Sequence, residues 1–188
     1  MMPATHEVSI LLAQPEHAVP YHQFMDIVFA ENLDTLIPPP GPTDLRATSR
    51  YVMQHDGHRS ALFLAVMGGN LVGAANFSRF DRPEKDHTVG IGLYVRAGYR
   101  GQGIGRRLME AGIAWAIGTP DVDRVELLVM ENNATAIGLY ESLGFAREGV
   151  KLCAIKKPYG YVNVIPMALL LKEAAEAAGQ AERPSRSG

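Results

Sequence analysis

A single cysteine, Cys153, stands in the 188 residues of this chain. One thiol cannot close an internal disulfide, so the fold rests on apolar burial and hydrogen bonding, as suits a reducing compartment. No apolar run approaches the ~18 residues of a membrane span. The stretch MMPATHEVSI lacks the basic-then-apolar order of a secretion signal. We therefore expect a cytoplasmic protein with no membrane partner. An excess of one charge is missing too: 18 Lys and Arg face 20 Asp and Glu, for a net charge of −2, which argues against a nucleic-acid partner. His55 and His58 have H-x-x-H spacing without a third ligand signal, so no metal is expected. No internal repeat is visible.

What is there suffices for one domain, because 47% hydrophobic content over this length can bury a substantial core. We expect that domain over residues 1–171 and a polar, Ala/Glu-rich tail, frayed or disordered, over 172–188. HEVSILLA (6–13) reads as an opening strand. Residues 16–32 place Tyr21, Phe24 and Val28 at helical spacing. LIPPPGP (36–42) stops that helix, and a second short helix follows around 43–55. Two apolar runs within 60–80, joined at Gly68-Gly69-Asn70, read as a hairpin. HTVGIGLYV (87–95) alternates, with Val89, Ile91, Leu93 and Val95 on a packed face and Gly90, Gly92 and Tyr94 on a nearly bare one. Ile104, Leu108, Ala111 and Trp115 form one helical stripe. RVELLVM (124–130) reads as a strand covered on both faces. A helix over 133–145 lets Ile137, Tyr140 and Leu143 share a face and closes at Gly144. Two last strands fall within 145–156 and 161–171. The order predicts an α/β fold: a mixed, mostly antiparallel sheet of about seven strands with about four helices.

The most informative stretch is VRAGYRGQGIGRRLMEAG (95–112). Glycines at 101, 103 and 105 bring backbone N–H groups close to a ligand. Arg96, Arg100, Arg106 and Arg107 occur with no acid between Val95 and Met109. A strand, a glycine turn and a helix N-terminus together favour a bound anion, because unpaired N–H groups and the helix dipole face it. The Walker loop is excluded by Ile104-Gly105, which stands where Lys-Ser/Thr belongs. The dinucleotide fingerprint is excluded by Arg106, which stands where its third glycine belongs. What remains is R-x-x-G-x-G, Arg100 to Gly105. It resembles the pyrophosphate loop of the GNAT superfamily of acyl-CoA N-acyltransferases. NNATAIGLYESLGF (132–145) resembles that superfamily's second signature, N-x-x-A-x-x-x-Y-x-x-x-G-F, through Asn133, Ala136, Tyr140, Gly144 and Phe145. The two motifs cover about residues 87–145 and look most like bacterial acetyltransferases of small amines and amino acids.

The resemblance implies a GNAT-like domain that uses acetyl-CoA as cosubstrate, with a small-molecule amine as partner and with room for a homodimer. It implies that the backbone of Leu93, Tyr94 and Val95 meets the pantetheine arm and thioester. Arg100, Gly101, Gln102, Gly103, Ile104, Gly105 and Arg106 would cradle the pyrophosphate. Asn133 would hydrogen-bond the arm, and Tyr140 would protonate the leaving sulfur. Proton transfer from a phenol near ~10 to a thiolate near ~8.5 is uphill by about 2 kcal/mol, within reach of a positioned acid. Tyr140 also fits a core aromatic, and Arg106 and Arg107 also fit a solvated helix turn. The superfamily's usual glutamate bases are missing: residues 88–95 hold no acid, and Leu128 occupies another such position. His87, Glu126 or a water path remain as the base. Residues 31–42 and 156–161 would wall the acceptor side, where Lys156 and Lys157 suit a carboxylate-bearing amine or are a solvated turn. A protein N-terminus or lysine as acceptor, and a catalytically silent acyl-CoA sensor, stand as alternatives.

Overall fold

The computed structural model of the protein describes residues 7–31, 35 and 44–171. Expectations for the N-terminal six residues, most of 32–43 and the 172–188 tail fall outside these. Described in order are strand β1 (Ser9–Leu12), helices α1 (Ala18–Ala30) and α2 (Leu45–Gln54), strands β2 (Ser60–Met67), β3 (Asn70–Arg79) and β4 (Thr88–Val95), and helix α3 (Ile104–Gly118). Then follow β5 (Arg124–Met130), α4 (Ala134–Ser142), β6 (Ala146–Arg147), β7 (Lys151–Lys157) and β8 (Gly160–Leu170). The class is α/β with an open, mixed, mostly antiparallel sheet, as expected, with eight strands among the described residues, in line with the expectation of about seven. Within the stretch 145–156, expected to hold one strand, Gly149 at φ +142° lies between β6 and β7.

Two compact units make up the domain, Met1–Ser78 with Gly90–Trp115, and Arg79–Val89 with Ala116–Gly188. In the first, the strands run in the order β1-β2-β3-β4. Met67 pairs with Asn70, so β2 and β3 are joined by Gly68 and Gly69 alone. Both have positive φ, +55° and +76°, as a type I′ hairpin turn requires. Tyr21, Phe24 and Val28 of α1 and Val52 of α2 bury against Leu62, Leu64, Ala74 and Tyr94. Asp44 caps α2 by accepting the Ala47 N–H at 2.8 Å.

Helix α3 buries Ile104, Leu108, Met109, Gly112 and Ala116, while Ala111 and Trp115 lie only half-buried at the rim. The expected stripe is thus displaced by about one position after its first turn. Gly112 is the cause: it lets Phe77 of β3 press against the helix backbone. Trp115 uses its rim position to donate Nε1–H to the Gly57 carbonyl at 2.7 Å.

The bare face expected for β4 also needs correcting. Tyr94 is 7% exposed and belongs to the α1–α2 core, whereas Ile91, Leu93 and Val95 are only half-buried. A Cβ added at Gly92 would clash with Asn76 Oδ1 and stand 3.2 Å from both Cε2 and Oη of Tyr94, so the glycine leaves room first for the Asn76 amide and then for this ring.

In the second unit β8 pairs with β5 on one edge and with β6 and β7 on the other. Ile137, Tyr140 and Phe145 are buried, and Gly144 ends α4 at φ +91°. Strand β5 is not covered on both faces: Leu128 is 51% exposed and Glu126 only partly buried. The open face is stabilised by charge instead. Arg124 donates to Glu126 at 2.9 Å and to both carboxylate oxygens of Glu148, and Lys85 reaches Glu126 at 3.3 Å. Pairing with Arg124 holds the Glu148 carboxyl below its ordinary pKa and raises that of the guanidinium. The register of β7 shifts between Lys151 and Ile155, and Cys153 sits there at φ +52°. Asn163 Oδ1 accepts the Cys153 N–H at 2.9 Å, satisfying the backbone that the shift displaces.

Candidate active site

The phosphate-loop candidate lies wholly in the first unit and is built from local chemistry. After β4 the chain makes a 3-10 turn, Ala97–Tyr99, and enters Gly101 and Gly103 at φ +74° and +77°. Side chains are strained in this left-handed region. No atom stands within 4 Å of a Cβ added at either glycine, so the surface above both is open. Helix α3 begins at Ile104, whose side chain is 1% exposed, and the Arg107 N–H is the donor to the Gly103 carbonyl at 3.1 Å. Gly105 is therefore a first-turn helical residue. Gln102 folds its amide back to the Gly98 carbonyl at 3.3 Å.

The arginines are less available than their local sequence implies. Arg100 donates Nη2–H to Glu31 at 2.7 Å and Nε–H to the Val95 carbonyl at 2.9 Å. Arg106 lies 3.7 Å from Glu110, one helical turn on. A search for acids between Val95 and Met109 misses both partners, one being 69 positions away in sequence and the other just beyond the window. What the loop presents is main chain: two left-handed glycines leading into a helix N-terminus.

Of the residues expected on the thioester strand, Tyr94 has its ring in the core, and burial pushes its phenol up to about 12. Leu93 and Val95 are half-buried. The first unit also holds a polar chain that sequence reasoning missed. His55 is 4% exposed, with Nδ1 2.7 Å from the Tyr51 carbonyl and Nε2 2.8 Å from Ser78 Oγ. A carbonyl only accepts, so Nδ1 carries the proton and neutral Nε2 accepts from Ser78, whose Oγ in turn accepts from the Asn76 amide at 3.3 Å. Burial lowers the His55 pKa, consistent with the neutral ring. Both ring nitrogens of His55 are thus engaged within the protein.

The second unit carries the other motif. Asn133 is the N-cap of α4 and accepts the Ala136 N–H at 3.2 Å, so its amide is oriented by the helix it starts. Tyr140 is 8% exposed, and its ring packs 5.9 Å from that of Phe145. Of the candidate bases, Glu126 is held by Arg124 and Lys85, and His87 is exposed just before β4. The Lys156 ammonium lies 6.0 Å above the Tyr161 ring, across the β7–β8 turn.

A mixed α/β sheet whose fourth strand runs through a left-handed glycine loop into a helix N-terminus places the chain in the class of α/β domains with an arrangement that favours an anion. Comparison with known proteins narrows the class. Residues 27–145 match the family described as acetyltransferase (GNAT) family, and the chain belongs to that family. It is 33% identical over 105 residues to the L-amino acid N-acetyltransferase AaaT of Escherichia coli, covering 56% of this chain and 65% of that one. It is 40% identical over 91 residues to the N-alpha-acetyltransferase RimI of Mycobacterium tuberculosis, covering 46% of this chain and 52% of that one. The chain thus spans between half and two thirds of the length of these relatives. The structure of yncA from Salmonella typhimurium, solved with acetyl-CoA, superposes with a TM-score of 0.78 at 18% identity, covering 96% of this chain and 99% of that one. At this identity the likeness is one of fold. No helix among the described residues is long and apolar enough to cross a membrane.

Proposed function

We propose that the protein is an N-acetyltransferase that moves the acetyl group of acetyl-CoA to the primary amine of a small molecule such as an amino acid. The observation that carries this is the pair of left-handed glycines, 101 and 103, open above and leading into the N-terminus of a 15-residue helix. The pyrophosphate is assigned to main-chain N–H groups of Gly101 to Arg106, with Gln102, Ile104 and Gly105 as the turn that aims them. The backbone of Leu93, Tyr94 and Val95 is assigned to the pantetheine arm and thioester, and the burial of the Tyr94 ring leaves main chain as that residue's contribution. Asn133 is assigned to the arm.

In the reaction the amine nitrogen attacks the thioester carbon, the carbonyl oxygen takes up negative charge, and the carbon–sulfur bond breaks. Tyr140 gives its phenolic proton to the departing thiolate, and the proton shed by the amine passes to water. Ion pairing of Glu126 with two cations weakens its claim as base, which favours the water path. Similarity to AaaT supports a free amino acid as acceptor. Similarity to RimI supports a second assignment, a protein N-terminus.

The test combines binding and turnover. Gly103→Asn puts a side chain over the loop with a residue that tolerates left-handed backbone. Calorimetry should show CoA affinity reduced at least tenfold in a variant that still folds. Thiol release from acetyl-CoA, screened over L-amino acids, spermine, aminoglycosides and N-terminal peptides, then identifies the acceptor. CoA binding with no turnover on any amine would indicate a sensor, and unchanged affinity in Gly103→Asn would refute the loop assignment.

A further inference from the structure

Glu31 places a carboxylate beside a loop assigned to an anion, where an unpaired negative charge would repel two phosphates. Its surroundings resolve the conflict. It follows the last residue of α1, and its side chain is 18% exposed. Oε2 accepts from Arg100 at 2.7 Å and Oε1 accepts the Ala97 N–H at 2.9 Å. The ion pair cancels both charges, so what remains of Glu31 is geometry: one carboxylate spans the turn between β4 and the glycines. The same turn is tied at its other points. The Arg96 N–H is the donor to the Val72 carbonyl at 3.0 Å, and Arg100 folds back on the Val95 carbonyl at 2.9 Å.

We infer that Glu31 is a positioning residue for the pyrophosphate loop, and that Arg100 acts as its counter-ion rather than as a phosphate ligand. The inference rests on the assignment of residues 101–106 to CoA. A segment with glycines at 98, 101, 103 and 105 is costly to order, because glycine loses more backbone freedom than any other residue. Anchors that fix its entrance before the ligand arrives remove part of that cost from binding. The anchor comes from α1, so cofactor affinity depends on a helix that contributes no motif residue.

The test uses CoA as the calorimetric probe with Glu31→Ala, Glu31→Gln, Arg100→Ala and the Glu31→Ala/Arg100→Ala pair. Each alanine variant should bind CoA about tenfold more weakly at unchanged stoichiometry. The double variant should bind no worse than either single one. Glu31→Gln, which keeps an acceptor for Ala97, should fall between wild type and Glu31→Ala. With the best amine of the screen, KM for acetyl-CoA should rise while kcat holds. A purely structural role would instead lower stoichiometry, melting temperature and kcat together. Unchanged CoA affinity in Glu31→Ala would overturn the inference. So would tighter binding, which would make Arg100 a direct phosphate ligand that Glu31 competes for. If Gly103→Asn also leaves affinity unchanged, the loop assignment itself has failed; if only the Glu31 variants do, this inference alone has.

Discussion

Gly112→Ala is a substitution on which local and tertiary forces disagree in sign. Alanine is favoured over glycine inside a helix by about 1 kcal/mol, and Gly112 lies well within α3. Yet a Cβ built there falls within 2.5 Å of three ring atoms of Phe77: Cδ2, Cε2 and Cζ. Carbon atoms are comfortable at ~3.5–4.0 Å, so the ring must withdraw by about an ångström or more. Phe77 is 0% exposed and lies edge-on to Phe63 at 6.1 Å and to Trp115 at 6.3 Å. Trp115 is tethered to Gly57 and does not yield freely. Overpacking costs about 1–3 kcal/mol, and moving an enclosed aromatic ring belongs at the upper end. The propensity gain offsets about 1 kcal/mol of this, which leaves a net loss of about 2 kcal/mol. That corresponds to a melting temperature lower by about 4–8 °C for a chain of this size. Gly138→Ala in α4 is the control, because no atom lies within 4 Å of a Cβ there and only the propensity gain applies. Urea unfolding followed by the fluorescence of Trp115 measures both, and adding Phe77→Leu to Gly112→Ala should recover part of the loss. A Gly112→Ala protein as stable as the Gly138→Ala one would refute the reasoning.

The buried His55 makes a pH prediction. Burial lowers its folded-state pKa below the unfolded value near 6.5, so the unfolded chain takes up the proton first. Its contribution is therefore complete above about pH 6.5 and declines as pH falls below that, by at most about 1.4 kcal/mol per pH unit. Melting temperature followed from pH 7.5 to 5.5 should fall more steeply in the wild type than in His55→Asn; parallel curves would count against a buried neutral ring. Tyr140→Phe should keep CoA affinity and lower kcat about tenfold or more in the thiol-release assay, whereas a wild-type rate would leave the residue a packing aromatic. Lys156→Ala with Lys157→Ala should raise KM several-fold more for a carboxylate-bearing amine than for its neutral amide, because distant ammonium groups attract only the former. Equal effects on the two substrates would remove the lysines from acceptor recognition.

What the sequence determined by itself was whatever a few adjacent residues dictate through backbone geometry. The hairpin at Gly68-Gly69 and the cap at Gly144 follow from residues that tolerate positive φ. The buried faces of α1 and α4 follow from a period of 3.6, and the glycine loop at 101–105 is local in the same sense. Asn133 and Tyr140 are one helix apart, and their motif was legible for the same reason.

Only the tertiary structure decided which distant groups meet. Arg100 finds Glu31, 69 residues earlier, and a run that looked rich in uncompensated cations proves to be anchored by an acid. Tyr94 fills the face that its neighbouring glycines seemed to leave bare, because α1 and α2 bring an aromatic core to it. Leu128 is open to solvent on the face of β5 that it shares with Arg124 and Glu126, where charge pairing that reaches Glu148 lines the strand. The pKa of His55 is lowered because the fold buries it between Tyr51 and Ser78. Backbone periodicity is a short-range property, but charge pairing, burial and protonation depend on partners that the chain brings together only when it folds.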